Sequence, residues 1–460
     1  MAFAIHLRIT GLLINYNKMP EMQTEISKKF VSAMQNFGAC VLVLLTPSLT
    51  YAGEAGAAAD SRTIRTLVEE TSWELKRVRK KTLKGTPRVE SISRERYVDE
   101  YVVKTLDFIW GGDYERSLAV FKVLGMLPTE LEAKSFVRRY GAVMTVAAYD
   151  FFEKRILFPQ TKVSREVLLH ELVHAMQDEQ HDIKKLMTAT GFEFDKTLAL
   201  GALLEGEAVN VQLRYRLGRS RVFAGITPYG TVRKESRAHF EEIRQRWMRW
   251  MPDIPPNLIR AQAFVYDEGV LFVERLRRRK RNWGCVDAAY RMPPRSTSQI
   301  LHPEKYLGGE WPIELGVVNK ETLIDGYKLV TENTLGEFGM RLFLETHLPK
   351  LEAPHKAVEG WRGDRVYLYR DERKRPVLLW VSTWQTPKKA ERMKGLLSKA
   401  LTTHAGESFK GSVRVKRRDL DVVAVLGVPE PFQHLLDAEI TRKTTQGRPF
   451  GDEEEKAKGR

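Results

Sequence analysis

Cysteine is nearly missing from this chain of 460 residues: Cys40 and Cys285 are the only two, and neither stands in a Cys-x-x-Cys pair. That excludes a cysteine-rich zinc site and a disulfide scaffold. No apolar run reaches the roughly 20 residues a membrane-crossing helix needs, so no transmembrane span is expected in the mature chain. No internal repeat is present, which sets solenoids and propellers aside. Acidic charge is in deficit, with 75 Lys and Arg against 59 Asp and Glu, a net +16. Such an excess can serve nucleic acid or an anionic surface. Here it is spread along the chain, and aromatics do not interleave with it as in a stacking groove, so no nucleic-acid partner is expected. What the chain does have is apolar material, 43% of its residues. That is enough for a buried core and rules out bulk disorder, and the length suits two or three domains of roughly 100–200 residues each.

The amino terminus reads as an address. Lys28 and Lys29 precede the short apolar run Cys40-Val41-Leu42-Val43-Leu44-Leu45, and Thr50-Tyr51-Ala52 puts small residues where a cleavage site needs them. Residues 1–52 are therefore expected to be a secretory signal cut before Gly53, with translation starting at Met1, Met19 or Met22. The protein is then exported, to the periplasm or beyond the cell.

The remaining chain points to an α+β fold. Residues 60–350 form a mostly helical domain, with long helices expected at 164–182, 196–217, 233–249 and 262–281. Residues 141–158 read as two strands, Val143-Met144-Thr145-Val146 and Ile156-Leu157-Phe158, flanking Tyr149-Asp150. Residues 360–430 follow the order strand (365–370), strand (376–383), helix (387–401), strand (412–417), strand (421–427), a small α+β domain with an antiparallel sheet. The polar tail at 440–460, with Asp452-Glu453-Glu454-Glu455, is expected to be disordered.

The chemistry is at His170-Glu171-Leu172-Val173-His174. On a helix, positions i and i+4 share one face, so both imidazoles can reach one metal ion. Glu171 lies about 100° round from His170, beside the metal and not on it, where it can take a proton from water. Zinc suits two imidazoles, one carboxylate and an open fourth position. The carboxylate is available in Leu204-Glu205-Gly206-Glu207-Ala208. Glu205 and Glu207 point about 200° apart on a helix, so one of them is the ligand and not both. Gly206 costs about 1 kcal/mol relative to Ala in mid-helix, so it is expected to serve packing, by letting this helix approach the His helix closely.

His170-Glu171-x-x-His174 with Glu205-Gly206-x-Ala208 resembles the gluzincins, the metallopeptidase clan of thermolysin and the zinc aminopeptidases. The resemblance implies a gluzincin-like catalytic domain, Zn2+ as cofactor, a peptide or protein substrate and Glu205 as third ligand, leaving Glu207 to orient a histidine. The gap from His174 to Glu205 is longer than the aminopeptidases usually have. The resemblance also implies an oxyanion donor at Tyr266 in Phe264-Val265-Tyr266-Asp267-Glu268-Gly269, read as a helix start, and an edge strand near Ile156-Leu157-Phe158 that pairs with extended substrate. A wider likeness, to uncharacterised exported proteins with the same His-Glu-x-x-His pattern, rests most on Pro293 to Tyr306 (PPRSTSQILHPEKY) and on Gly360-Trp361-Arg362-Gly363-Asp364-Arg365.

The expected function is thus an exported zinc metallopeptidase with Glu171 and Tyr266 as catalytic residues. Its rivals are a hydrolase of non-peptide amides and a zinc-containing envelope protein that binds without catalysis. Asp178, four residues after His174, is either that imidazole's partner or plain helix surface. His181 is expected in solvent, His302 in a loop-ordering role, and the basic run at 275–281 as a complement to a helix C-terminus.

Overall fold

The computed structural model describes residues 61–144, 146–159, 164–219, 229–250, 256–405, 413–427 and 432–444, together with a short ladder of Arg8–Ile9 on Leu12–Leu13. Of the signal expected over residues 1–52, all but that ladder lies outside the described residues, as do residues 445–460 of the expected tail. Among the described residues, no helix is long and apolar enough to cross a membrane.

The fold is α+β. Two helices form its centre: α3 (Arg165–His181) and α4 (Phe194–Arg219). Ser164 starts α3, its side chain accepting from the Val167 N–H at 3.1 Å, and Asp182, at φ 55°, ends it. Every residue from Val167 to Asp178 is buried. The helix is therefore enclosed on all sides and not docked by one apolar face, and its polar side chains must find partners inside the protein. α4 is buried from Thr197 through Leu213. Packed around this pair are α1 (Ser61–Arg79) and α5 (256–280), while α2 (94–110, with a π-helical turn at Val98–Val103) packs on the helix Ala133–Met144. α5 starts at Pro256, six residues earlier than the periodicity predicts, because a proline's fixed φ suits a first turn. It also contains a π-helical turn, Phe264–Glu268. Tyr266 is accordingly in mid-helix and does not open a helix.

A three-stranded sheet flanks α3. β1 (Arg88–Ser91) runs parallel to β3 (Arg155–Phe158), which pairs antiparallel with β2 (Ala148–Asp150). The expected strand at 143–146 is displaced: Val143 and Met144 close the helix Ala133–Met144, and Tyr149 and Asp150 lie in β2 itself. β3 has a partner on each side, so the expected substrate-pairing edge at 156–158 is already occupied.

The second sheet is antiparallel, in the order β8–β9–β7–β6–β5, with β5 (Tyr327–Asn333), β6 (Trp361–Asp371), β7 (Pro376–Trp384), β8 (Arg414–Arg418) and β9 (Asp421–Leu426). Its faces alternate with period 2. Val366 and Leu368 join the main core, which runs on through α3 and α4, while Tyr367 and Tyr369 join a smaller cluster with Leu315 and Leu435. Strand β5 comes from upstream of the 360–430 unit. β4 (Ile313–Val317) pairs with β10 (Ile440–Thr444), so the first five residues of the tail expected to be disordered form a strand.

Candidate metal centre

Three side chains from the two central helices meet in the interior. His170 Nε2 lies 3.1 Å from His174 Nε2 and 3.2 Å from Glu205 Oε2, and His174 Nε2 lies 3.3 Å from Glu205 Oε1. All three residues are buried, and among the described residues they form a group whose donor atoms could hold a metal ion. These separations can be tested against an ion. Three donors each about 2.0–2.1 Å from one tetrahedral zinc lie about 3.3 Å apart. The observed spacing fits a small divalent cation without movement.

Electrostatics inside this group follow from burial and charge. Burial alone would lower the His174 imidazole, but the Glu205 carboxylate outweighs it and holds the ring up at about 9. Burial alone would raise Glu205, but the charge of His174 and hydrogen bonds from both imidazoles keep it well below the usual carboxylate range. Glu171 is 1% exposed, next to His170, and its charge acts on His174. Tyr101, in the π turn of α2, is buried too. Its phenol is pushed up by burial first and then by Tyr97, Asp150, Glu171 and Glu205, so it belongs to the same electrostatic neighbourhood.

Glu207 faces away from the cluster. It pairs with the buried Arg79 of α1 and accepts from Gln177 Nε2 at 2.9 Å and from the Tyr290 hydroxyl at 2.5 Å. Gln177 Oε1 in turn sits 2.8 Å from His174 Nδ1. Gln177, and not Asp178, is the partner of that imidazole. Asp178 is buried instead against Tyr149, Lys154 and the Ile183 N–H.

Gly206 works at a different contact from the expected one. A Cβ there would lie 2.2 Å from the Gly269 carbonyl oxygen, and a Cβ on Gly269 would lie 2.4 Å from that of Ala202. The close approach is therefore between α4 and α5, the helix of Tyr266, and not between α4 and the His helix. Gly206→Ala is expected to destabilise the fold by about 3 kcal/mol or more, because the obstacle is backbone and cannot swing aside. Urea unfolding measures this, and an unchanged midpoint would mean that the crossing is not tight.

A family model described as a domain of unknown function (DUF8575) matches residues 323–435. No curated protein and no solved structure matches the chain. The matched span begins just before β5 and contains no residue of the metal group.

Within that span, Asp364 is buried and accepts from the N–H groups of Leu335 and Gly336 and from the indoles of Trp361 and Trp380, at 2.9–3.1 Å. Facing it, the Pro293–Tyr306 segment clamps helices together: Thr297 donates to Asp195 at the start of α4, and Ser298 and His302 hold Glu337. His302 thus orders its loop. A cavity of about 140 Å³ lies at this seam, lined among others by Glu193, Asp195, Arg295, Asp364 and Arg365. Asp195 is ten residues from Glu205, about 15 Å along α4. His181 is half-buried and stacks on Tyr290 at 4.4 Å, so it is neither a ligand nor in solvent. The basic run at 275–281 is tied down by Glu274, Glu304 and the Trp283 ring.

Proposed function

We propose that the chain is a zinc-dependent metallopeptidase, with His170, His174 and Glu205 as ligands and Glu171 as proton acceptor. The observation that carries this reading is the convergence of the three donors at 3.1–3.3 Å with a fourth polar residue, Glu171, buried beside them. A structural zinc site closes all four positions with protein donors, whereas a catalytic one leaves a position open. Among the described residues no fourth His, Cys, Asp or Glu joins this group. Zinc held there would acidify water and polarise a carbonyl. Glu171 accepts the water's proton and delivers it to the leaving amine. The basic, apolar and small-residue order of residues 28–52 supports an exported protein, periplasmic or extracellular.

Negative charge that develops on the former carbonyl oxygen needs a donor, and a neutral phenol can supply one. Tyr266 is 3% exposed and stands three residues before Gly269, at the crossing where α5 touches Gly206 next to Glu205. Tyr266→Phe is expected to keep metal content and lower kcat about 10²–10³-fold. Wild-type kcat in this variant, with a loss in Tyr101→Phe, would move the donor to Tyr101.

The test of the whole reading is metal analysis of the purified protein followed by a peptide-library cleavage assay with and without chelator. Stoichiometric zinc and chelator-sensitive cleavage are expected. Metal without turnover would make the protein a binder, and turnover of non-peptide amides alone would change the substrate class.

A further inference from the structure

We infer that Gln177 is a positioning residue that fixes the His174 ring for the metal, held in place by Glu207, Arg79 and Tyr290. The inference rests on the metal reading above and goes beyond its ligand set. Gln177 is fully buried, and its amide meets four partners. Its Nε2 is 3.0 Å from the Leu204 carbonyl oxygen, 2.9 Å from Glu207 Oε2 and 2.9 Å from the Tyr290 hydroxyl, while its Oε1 is 2.8 Å from His174 Nδ1.

The chemistry of these partners leaves one orientation. The Leu204 carbonyl and the carboxylate of Glu207 only accept. Tyr290 has a single proton, and the 2.5 Å contact with Glu207 Oε2 uses it, so toward Gln177 its oxygen accepts as well. All three therefore face the NH₂ side of Gln177 and share its two hydrogens. A flipped amide would press its oxygen against three acceptors in a site without solvent. The carbonyl must then face His174, and His174 Nδ1 must carry a hydrogen and donate it. Its metal-binding electron pair is thereby assigned to Nε2, the nitrogen that faces His170 and Glu205. Glu207 is itself fixed by the buried Arg79, which also pairs with Asp287 at 2.5 Å and lies over the Trp283 ring. The arrangement joins α1, α3, α4 and the helix Gly284–Arg291 behind one ring nitrogen. Partners of this kind typically set metal affinity by 10–100-fold.

Two variants separate positioning from folding. Gln177→Leu removes both the acceptor and the donors. Gln177→Glu keeps the side-chain length and still offers His174 Nδ1 an acceptor oxygen, so it is the rescue. The measurements are the zinc dissociation constant by chelator competition and the exchange rate of the His174 Nδ1 proton by NMR, with and without zinc. Expected are a 10–100-fold weaker dissociation constant and a rapidly exchanging proton in Gln177→Leu, and near wild-type behaviour in Gln177→Glu. Wild-type affinity with a protected Nδ1 proton in Gln177→Leu would overturn the inference. So would equal losses in the two variants, which would mark Gln177 as structural only. Failure of the wild type to take up zinc overturns the metal reading and the affinity claim with it. A protected Nδ1 proton in that same sample would assign the failure to the metal and not to the hydrogen bond.

Discussion

Glu171→Gln is expected to leave zinc uptake at wild-type stoichiometry and to lower peptide hydrolysis by about 10²–10⁴-fold, the usual contribution of one general base. Glu171 follows His170 directly on α3, so its side chain leaves the helix about 100° from the ligand face, beside the cluster and outside its donor set. It is 1% exposed in a helix whose residues from Val167 to Asp178 are all buried. Glutamine keeps the shape and the hydrogen-bonding reach but cannot accept a proton from water at neutral pH. Metal analysis and turnover on one substrate, measured on the same preparation, separate the two roles. Loss of zinc in this variant would make Glu171 a ligand. Unchanged turnover would take it out of the chemistry.

The metal group was legible because its spacing is local. His170 and His174 share a helix face through the i,i+4 rule alone, and Glu205 followed from its Glu-Gly-x-Ala setting. The sheet beyond residue 360 is legible for a similar reason: β6, β7 and β9 are buried over most of their length and dense in β-branched and aromatic residues between turn signals, while β8, Arg414-Val415-Lys416-Arg417-Arg418, lies beside them as the basic edge. Arg79 and Tyr290 gave no such signal, since each reaches Glu207 across a long stretch of sequence, 128 and 83 residues. Gln177 lies one helical turn from His174, and that i+3 spacing is the clue that could have found it. Strand β10 is hidden because its composition is that of a solvated edge: four of its five residues are exposed, so Thr441-Arg442-Lys443-Thr444 looks like a disordered tail. β1 was missed because four residues of intermediate or full exposure carry no alternation. A glycine inside a helix signals close packing at 206, but it carries no mark of which helix it meets, here α5 at Gly269.

Zinc affinity is expected to rise about tenfold per pH unit between pH 7 and about 9, with one proton released per ion bound. The cause is His174. In the metal-free protein Glu205 holds this imidazole at about 9, so at pH 7 it is protonated and a metal must displace that proton. Because the folded-state value is raised above the ordinary 6.5, the proton's contribution to metal-free stability is fully present below pH 6.5 and is lost as the pH rises through about 9. Metal binding runs the opposite way and gains what the proton gives up. Glu205→Gln removes the charge that raises the imidazole most and leaves only Glu171 and Gln177 to oppose burial. That variant is expected to bind zinc more weakly throughout, because it has lost a ligand, and to show a shallower slope between pH 7 and 9. Chelator competition at pH 7, 8 and 9, with proton release followed in weak buffer, measures both quantities. A wild-type affinity independent of pH would mean that His174 is neutral before the metal arrives, and that the Glu205–His174 pair is not an ion pair awaiting replacement.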